Sequence, residues 1–580
     1  MGAYEIHSEE VRLTKPYVKL EDGLLLGKRK GRRKIYEFRG VPYAAPPLGK
    51  RRWKAPEPPA PWVGTKTCFR DGPIAFQLAV SLQEFMEDLV SGMGFSRTKA
   101  LLIRALVKFA PPRKEDENCL TLSIRTPSLE PSACQPVMVW IHGGGYVDGS
   151  GSEPMYNGHA IPSQGIVYVS FNYRLGVLGF LAHPALGEEN SEGLSGNYGF
   201  LDQIQALRWI QGNIRRFGGD PSNVTIFGES GGGDAVLRLM ASPLAKGLFH
   251  KAISQSPGTF HEIGFLREKG VMGCTAEEIG RAFVRHCGLE DGGGSEDLSG
   301  VKDDDGADQR LLDKLRALPA VYLAERVKTF DERFREFNPI IDGHIIPKPV
   351  LDTFRSDNQT SVPLIIGCNA HEHSVTFRFV GTPIFDHRFD RPSSSHTQNF
   401  LEQEFGEDSS AFFAHYPGIE SGDTEACAQA FNDGFYGAKC FFIAKAAAVS
   451  NTVFLYHFER EPHSPKQTAG AFHAAEVCFV HGTPNMVFPM NEQDRLLSKK
   501  MVLYWTQFAK TGDPNFANSE RWSPFSATAQ SWLKLNHKVE QSEVTKAAIY
   551  EIFCRRLDRT LDRISASQQQ KAAPVSHQDS

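Results

Sequence analysis

The chain lacks any run approaching the roughly 20 apolar residues that a membrane-crossing helix requires, so no transmembrane span is expected. Its opening residues, MGAYEIHSEEVRLTK, lack the apolar core of a secretory signal. Ile6 breaks the myristoylation pattern that Gly2 would open, and the closing QDS is neither a retention nor a peroxisomal address. A cytoplasmic location is the expectation; a secreted mature chain given a new Met would read the same. Charge of one sign is also missing. Lys plus Arg number 64 against 68 Asp plus Glu, a formal net charge of -4, which gives no general argument for a nucleic-acid partner. The ten cysteines are spread thinly over 580 residues. None forms a C-x-x-C pair or a Cys/His cluster with zinc spacing, so no metal centre is expected.

Internal repeats and long linkers are absent as well. A single domain over residues 1–560 is the expectation, although the length alone suggests several. Residues 290–308, EDGGGSEDLSGVKDDDGAD, read as a mobile acidic loop, and the polar stretch 561–580 as a disordered tail. The basic run KRKGRRK (Lys28–Lys34) reads as a solvated hairpin tip; an anionic-partner patch is the alternative.

What is present is an alternation of buried strands and helices. PVMVWIHGGG (136–145), IVYVSFNYR (166–174), NVTIFG (223–228), VPLIIGCN (362–369) and NTVFLYHF (451–458) are short apolar runs without simple alternation. Such runs suit a mostly parallel sheet covered by helices on both faces. Between them, FLDQIQALRWIQGNIRRFGG carries apolar residues at helical spacing and ends on paired glycines. Residues 77–113 hold two more helix-like patches. Core packing accounts for them; an apolar lid over a site is the alternative.

Within this pattern, Gly228-Glu229-Ser230-Gly231-Gly232 lies between a strand and a helix. G-x-S-x-G in that context lets a serine hydroxyl stand above the sheet at a helix N-terminus. The bland alternative is a tight glycine turn. HGGGY (His142–Tyr146) ends an earlier strand, and consecutive glycines there can converge backbone N–H groups on a developing oxyanion. In this architecture an acid and then a histidine follow the serine. Ala370-His371-Glu372-His373 and His473 both lie beyond strand carboxyl ends, where open α/β sheets form their sites.

The chain resembles the type-B carboxylesterase/cholinesterase family. The likeness covers most of residues 18–540 and includes "FRGVPYAAPPLGKRRWKAP", "VMVWIHGGGY", "SFNYRLGVLGFL", "GNYGFLDQIQALRWIQGNIRRFGGDPSNVTIFGESGG", "NPIIDG" and "WTQFAKTGDPN" in order. The resemblance implies an α/β-hydrolase fold: a central, mostly parallel sheet flanked by helices, with large loop and helical insertions. It implies Ser230 as nucleophile, His473 as base and Glu372 as the acidic member. It implies an oxyanion hole from the N–H groups of Gly144, Gly145 and Gly231. No cofactor or metal is needed. The substrate expected is a small hydrophobic carboxylic ester, cleaved through an acyl-enzyme intermediate. Amide, thioester or lactone hydrolysis on the same residues is the nearer alternative, and a non-catalytic binding protein the more distant one.

Departures from the family pattern carry their own expectations. Glu372 sits in G-C-N-A-H-E-H rather than G-x-N-x-D-E-G, with Asp342 of NPIIDG as its rival. His463 is the weaker base candidate. Ser-Gly replaces the usual Ser-Ala after Glu229. Asp234 stands where the family has a small residue, and would raise the pKa of the histidine if close to it. Cys119 matches a family disulfide position whose partner falls near Ala75, so that bridge is not expected; Cys274 and Cys287 could form another. Residues 77–113 contain no tryptophan, which argues against choline esters. Phe260, just after QSPG, is the candidate acyl-pocket residue. The oligomeric state is not legible.

Overall fold

A computed structural model describes residues 15–30, 35–77, 89–109, 113–156, 158–258, 264–270, 273–289, 307–331, 337–376, 402, 404–419, 421, 423–484 and 488–572. Its centre is an eleven-stranded sheet. In chain order the strands are β1 (Lys28–Lys30), β2 (Ile35–Pro42), β3 (Thr121–Thr126), β4 (Gln135–Ile141), β5 (Val167–Phe171) and β6 (Gly219–Glu229). They continue with β7 (Lys251–Gln255), β8 (Leu364–Asn369), β9 (Val453–Phe458), β10 (Ser531–Leu535) and β11 (Glu540–Glu543). Across the sheet the order is β11-β10-β9-β8-β7-β6-β4-β5-β3-β2-β1. All pairings from β10 through β4 to β5 are parallel, while β3, β2, β1 and β11 attach antiparallel at the two edges. A small separate sheet joins Tyr17–Lys19, Leu24–Leu26 and Thr65–Thr67.

The reason for the unbroken apolar runs lies in where successive side chains go. In β4, Val137, Val139 and Ile141 enter one core while Met138 and Trp140 enter the other. Ile226 and Phe227 of β6, Ile366 and Ile365 of β8, and Leu455 and Phe454 of β9 divide in the same way. With both faces covered, alternation between polar and apolar positions has nothing to report. Helix α1 is Arg97–Lys108, at the surface; the covering helices include α2 Tyr198–Asn213, α3 Gly231–Ala241, α4 Ala438–Ala447, α5 Glu492–Thr511 and α6 Ala547–Ala572. Helices α2, α3, α4 and α6 feed the first core; Met501, Trp505 and Phe508 of α5 feed the second. The expected stop after α2 is found: a short 3-10 turn, Ile214–Phe217, closes on Gly218 at φ 77°.

Three expectations change on contact with the structure. Helix α6 runs to Ala572, through the start of the stretch expected to be a disordered tail. Leu561 is buried and Ile564 packs against the first core, so an apolar stripe within polar composition holds the chain in place. Cys274 and Cys287 are both free. They bracket an 11-residue helix, Ala276–His286. At about 1.5 Å rise per residue its ends stand far beyond the roughly 7 Å Cα limit of a disulfide. Cys68 and Cys119 are buried and likewise free. Residues 290–306 of the acidic loop lie outside the described residues, whereas 307 and 308 open the helix Ala307–Ala317. Of the 77–113 segment, α1 is described and 78–88 and 110–112 lie outside. Among the described residues, no helix is long and apolar enough to cross a membrane.

Trp505 is fully buried between Tyr456 and Trp522 and donates Nε1–H to Gln255 Oε1 at 3.0 Å. Trp505→Ala is expected to cost about 3–5 kcal/mol, measured as a lower urea midpoint with an unchanged slope.

Candidate active site

Strand β6 delivers Glu229, and α3 starts at Gly231; Ser230 is the whole turn between them. Its backbone sits at φ 57°, ψ -125°, a conformation that non-glycine residues hold only when their surroundings enforce it. The surroundings are the two motif glycines. A Cβ on Gly228 would lie 2.5 Å from the Gly232 carbonyl oxygen, and one on Gly232 would lie 2.1 Å from that of Ile141 at the end of β4. Only glycines let helix and strands approach so closely. Ser230 N–H donates to Gln255 O at 2.9 Å, which ties the turn to the end of β7.

The glycine-rich loop after β4 stands beside this turn. Gly144 and Gly145 adopt φ 100° and 57°, and a Cβ on Gly231 would meet Gly145 N at 3.0 Å. Ser-Gly in place of Ser-Ala therefore leaves the loop and the helix N-terminus in direct apposition. Among the described residues, no hydrogen bond takes up the N–H of Gly144, Gly145 or Gly231. The loop is fixed from behind. His142 stacks on Tyr173 at 4.4 Å, and Tyr173 O–H donates to His142 O at 2.9 Å. Burial pushes the His142 imidazole down to about 4, so it stays neutral.

Asp234 is the second fixture of this loop. The fully buried carboxylate accepts from Tyr146 O–H at 2.5 Å and from Arg238 Nε at 2.6 Å. Burial and the Asp234 charge hold the Tyr146 phenol well above its ordinary value, so it remains a donor. The expectation that Asp234 would raise the histidine's pKa is corrected here. Its carboxylate is committed to Tyr146 and Arg238, and the charges that act on His473 belong to Glu229, Glu372 and Glu476.

Glu372 lies just past β8, fully buried. Its Oε1 accepts Asn369 N–H at 2.6 Å, and its Oε2 meets His473 Nδ1 at 2.5 Å. The rival carboxylate, Asp342, is occupied elsewhere by the N–H groups of His344, Ile345 and Ile346 and by Asn197. His463 pairs with Asp494 and Arg460. His371 accepts Ala471 N–H, and His373 contacts Asn432; burial lowers the pKa of both.

The other face of the imidazole is the part that sequence reasoning missed. His473 Nε2 lies 3.2 Å from Oε1 of Glu229, the residue preceding Ser230. Among the described residues, Ser230 has no side-chain hydrogen bond, so the Ser230–His473 contact is open in this state. Such contacts are often loose before substrate arrives. Burial pushes Glu229 up to about 8, against the pull of His473. Burial also works against a charged His473, yet Glu229 and Glu372 outweigh it and lift the imidazole to about 9. Behind them, Glu476 accepts from Asn369 at 2.7 Å and Gln255 at 3.0 Å. Glu229 was legible as the x of G-x-S-x-G and Glu476 as three residues past His473, but neither spacing announces a carboxylate cluster.

An aromatic wall completes the site. Asp433–Gly437 forms a π-helical turn, held by Asp433 accepting from Tyr416 at 2.9 Å and Lys546 at 2.7 Å. It sets the Tyr436 ring 5.3 Å from the His473 ring, with Phe435 against Gly258. Phe260, the expected acyl-pocket residue, lies outside the described residues. No cluster of three or more His, Cys, Asp or Glu among the described residues could hold a metal.

A serine elbow over a mostly parallel sheet, with a histidine–carboxylate pair and glycine N–H groups beside it, defines an α/β-hydrolase of the serine type. The chain belongs to the carboxylesterase family, whose model matches residues 14–553. It is 32% identical over 503 residues to a fumonisin B1 esterase of Sphingopyxis macrogoltabida, covering 85% of this chain and 82% of that one. It is 31% identical over 514 residues to a fatty acyl-CoA hydrolase precursor, medium chain, of Anas platyrhynchos, covering 85% and 83%. A solved PNB esterase structure superposes with a TM-score of 0.72 at 28% identity, covering 93% of this chain and all of that one. The protein is thus a carboxylic-ester hydrolase by family.

Asp234→Ala would leave Arg238 buried without this partner, and such losses cost about 3–5 kcal/mol. A lower denaturant midpoint together with slowed ester hydrolysis is the expected result.

Proposed function

We propose that Ser230 attacks the carbonyl carbon of an apolar carboxylic ester while its proton passes to His473 Nε2. The single observation that carries this is the 2.5 Å contact between Glu372 and His473 Nδ1 beside the Ser230 elbow. That contact fixes the tautomer whose Nε2 lone pair is free to accept. As the tetrahedral intermediate forms, the N–H groups of Gly144, Gly145 and Gly231 receive the oxyanion. His473 then returns the proton to the departing alcohol, leaving an acyl-serine. Water attacks that ester, its proton taken by His473, and the acid leaves with Ser230 restored.

The choice of apolar groups is supported by the Tyr436 ring beside the imidazole, with Phe435 edge-on against Tyr436. A thioester reading on the same residues is favoured by the relative named as a fatty acyl-CoA hydrolase. Matched acetyl, butyryl and octanoyl p-nitrophenyl esters and CoA thioesters separate the two. Ser230→Ala is expected to lower kcat on the preferred series by about 10⁴–10⁶-fold with the fold intact. Equal turnover in parent and variant would remove Ser230 from the mechanism.

Glu229 gives a pH prediction. The base form of His473 is neutral, so activity rises as pH passes its pKa. Glu229→Gln removes a negative charge that favours the imidazolium. The imidazole pKa falls, and the acidic limb of kcat/KM moves to lower pH. A limb that stays in place would mean that Glu229 does not govern the protonation of the base.

A further inference from the structure

Helix α1 and the residue after it present apolar side chains to solvent. Leu101, Leu102, Leu106 and Phe109 are 65%, 53%, 50% and 79% exposed. They are four of the nine large apolar side chains exposed among the described residues, and they fall within nine positions. Phe109 N–H still donates to Ala105 O at 2.8 Å, so it continues the helical spiral. At about 100° per residue, Leu101, Leu102, Ala105, Leu106 and Phe109 occupy one arc of roughly 140°. Ile103, which points away from that arc, is buried. The helix is therefore packed on its inner side and apolar on its outer side. That differs from a surface helix, whose outer side is polar.

The charges at the margins of this arc have one sign. From 97 to 109 the sequence holds Arg97, Lys99, Arg104 and Lys108 and no acid. Lys99 lies at the far margin, its Nζ 3.8 Å from the Phe95 ring centre. Arg104 lies at the near margin and donates to Ser91 Oγ at 3.1 Å. Among the described residues, Arg97, Lys99 and Arg104 have no carboxylate partner. An apolar face bordered on both sides by cations matches the depth profile of an anionic bilayer: acyl chains for the leucines, phosphates for the bases.

We propose that this face of α1 docks the protein on an anionic phospholipid surface, lying in the interface plane rather than spanning it. The turn before the helix ties this face to the site. Gly92 O accepts the N–H groups of Thr468 and Ala469, and Gly94 O accepts Ser464 Oγ–H at 2.8 Å. Ala469 is four residues before His473 in the same loop. Docking on α1 therefore engages the segment that supports the loop carrying His473. The proposal concerns binding and does not rest on the catalytic assignment.

Co-sedimentation with vesicles tests it. The full chain is mixed with phosphatidylcholine vesicles, with or without phosphatidylglycerol, beside a Leu101→Gln/Leu106→Gln variant and an Arg97→Gln/Lys99→Gln variant. The parent is expected to bind the phosphatidylglycerol vesicles and to release from them in high salt. The leucine variant is expected to bind at least about tenfold more weakly. The cationic-site variant is expected to lose the preference for phosphatidylglycerol. Unchanged hydrolysis of a soluble p-nitrophenyl ester shows that both variants are folded. Failure of the parent to bind, or equal binding by the leucine variant, overturns the proposal. So does a concentration-dependent dimer that the leucine variant abolishes while no vesicle binding is seen, because the face would then belong to a second copy.

Discussion

The approach of α3 to the carbonyl edge of β4 and β6 is the constraint on which the site depends. A Cβ on Gly232 would stand 2.1 Å from the Ile141 carbonyl oxygen, and one on Gly228 2.5 Å from that of Gly232. With both side chains absent, the chain can reverse through one residue, and that residue takes φ 57°. The reversal places a serine at a helix N-terminus beside a loop of three glycines. It also brings Gly145 N against Gly231, so that two different segments of the chain lie in close apposition there. The cost of the strained turn is borne by the sheet, whose parallel strands on either side are buried on both faces.

A second constraint is electrostatic. One imidazole sits among buried carboxylates: Glu372 on its Nδ1 side, Glu229 on its Nε2 side, and Glu476 behind. Burial alone would keep His473 neutral; the carboxylates reverse that. Burial also keeps Glu229 from ionising at its ordinary pH. Asn369 and Gln255 prevent the third acid from being an orphan charge, each donating to Glu476. Trp505 fixes Gln255 in turn, which links the second core of the molecule to the site.

Much of this was legible in advance because it is local. The strands 136–145, 166–174, 223–228, 362–369 and 451–458 announce themselves as apolar runs and appear as β4, β5, β6, β8 and β9. The elbow needs particular glycines at fixed offsets from Ser230, and those are visible in any listing of residues. Strand β7, KAISQ, gives no such signal, since Lys251, Ser254 and Gln255 look polar. They are buried because Lys251 finds Asn223, Ser254 finds Gly233 O, and Gln255 finds Glu476 and Trp505. The Cys274–Cys287 pairing looked open until a rigid helix was found between them. Residues 561–572 of the expected tail continue helix α6 because Leu561 and Ile564 reach a core that composition does not display.

By itself the sequence determined the elements that rest on backbone sterics and periodicity: the parallel strands, the elbow and the glycine loop. Local residue patterns suffice for these because the forces involved act over a few positions. Only the tertiary structure decided which carboxylates surround His473, that Asp234 serves the Tyr146 loop instead, and that the Tyr436 ring stands against that of His473. These are contacts between segments tens to hundreds of residues apart. Coulomb interaction and burial depend on distance in space, and sequence spacing carries no record of that distance.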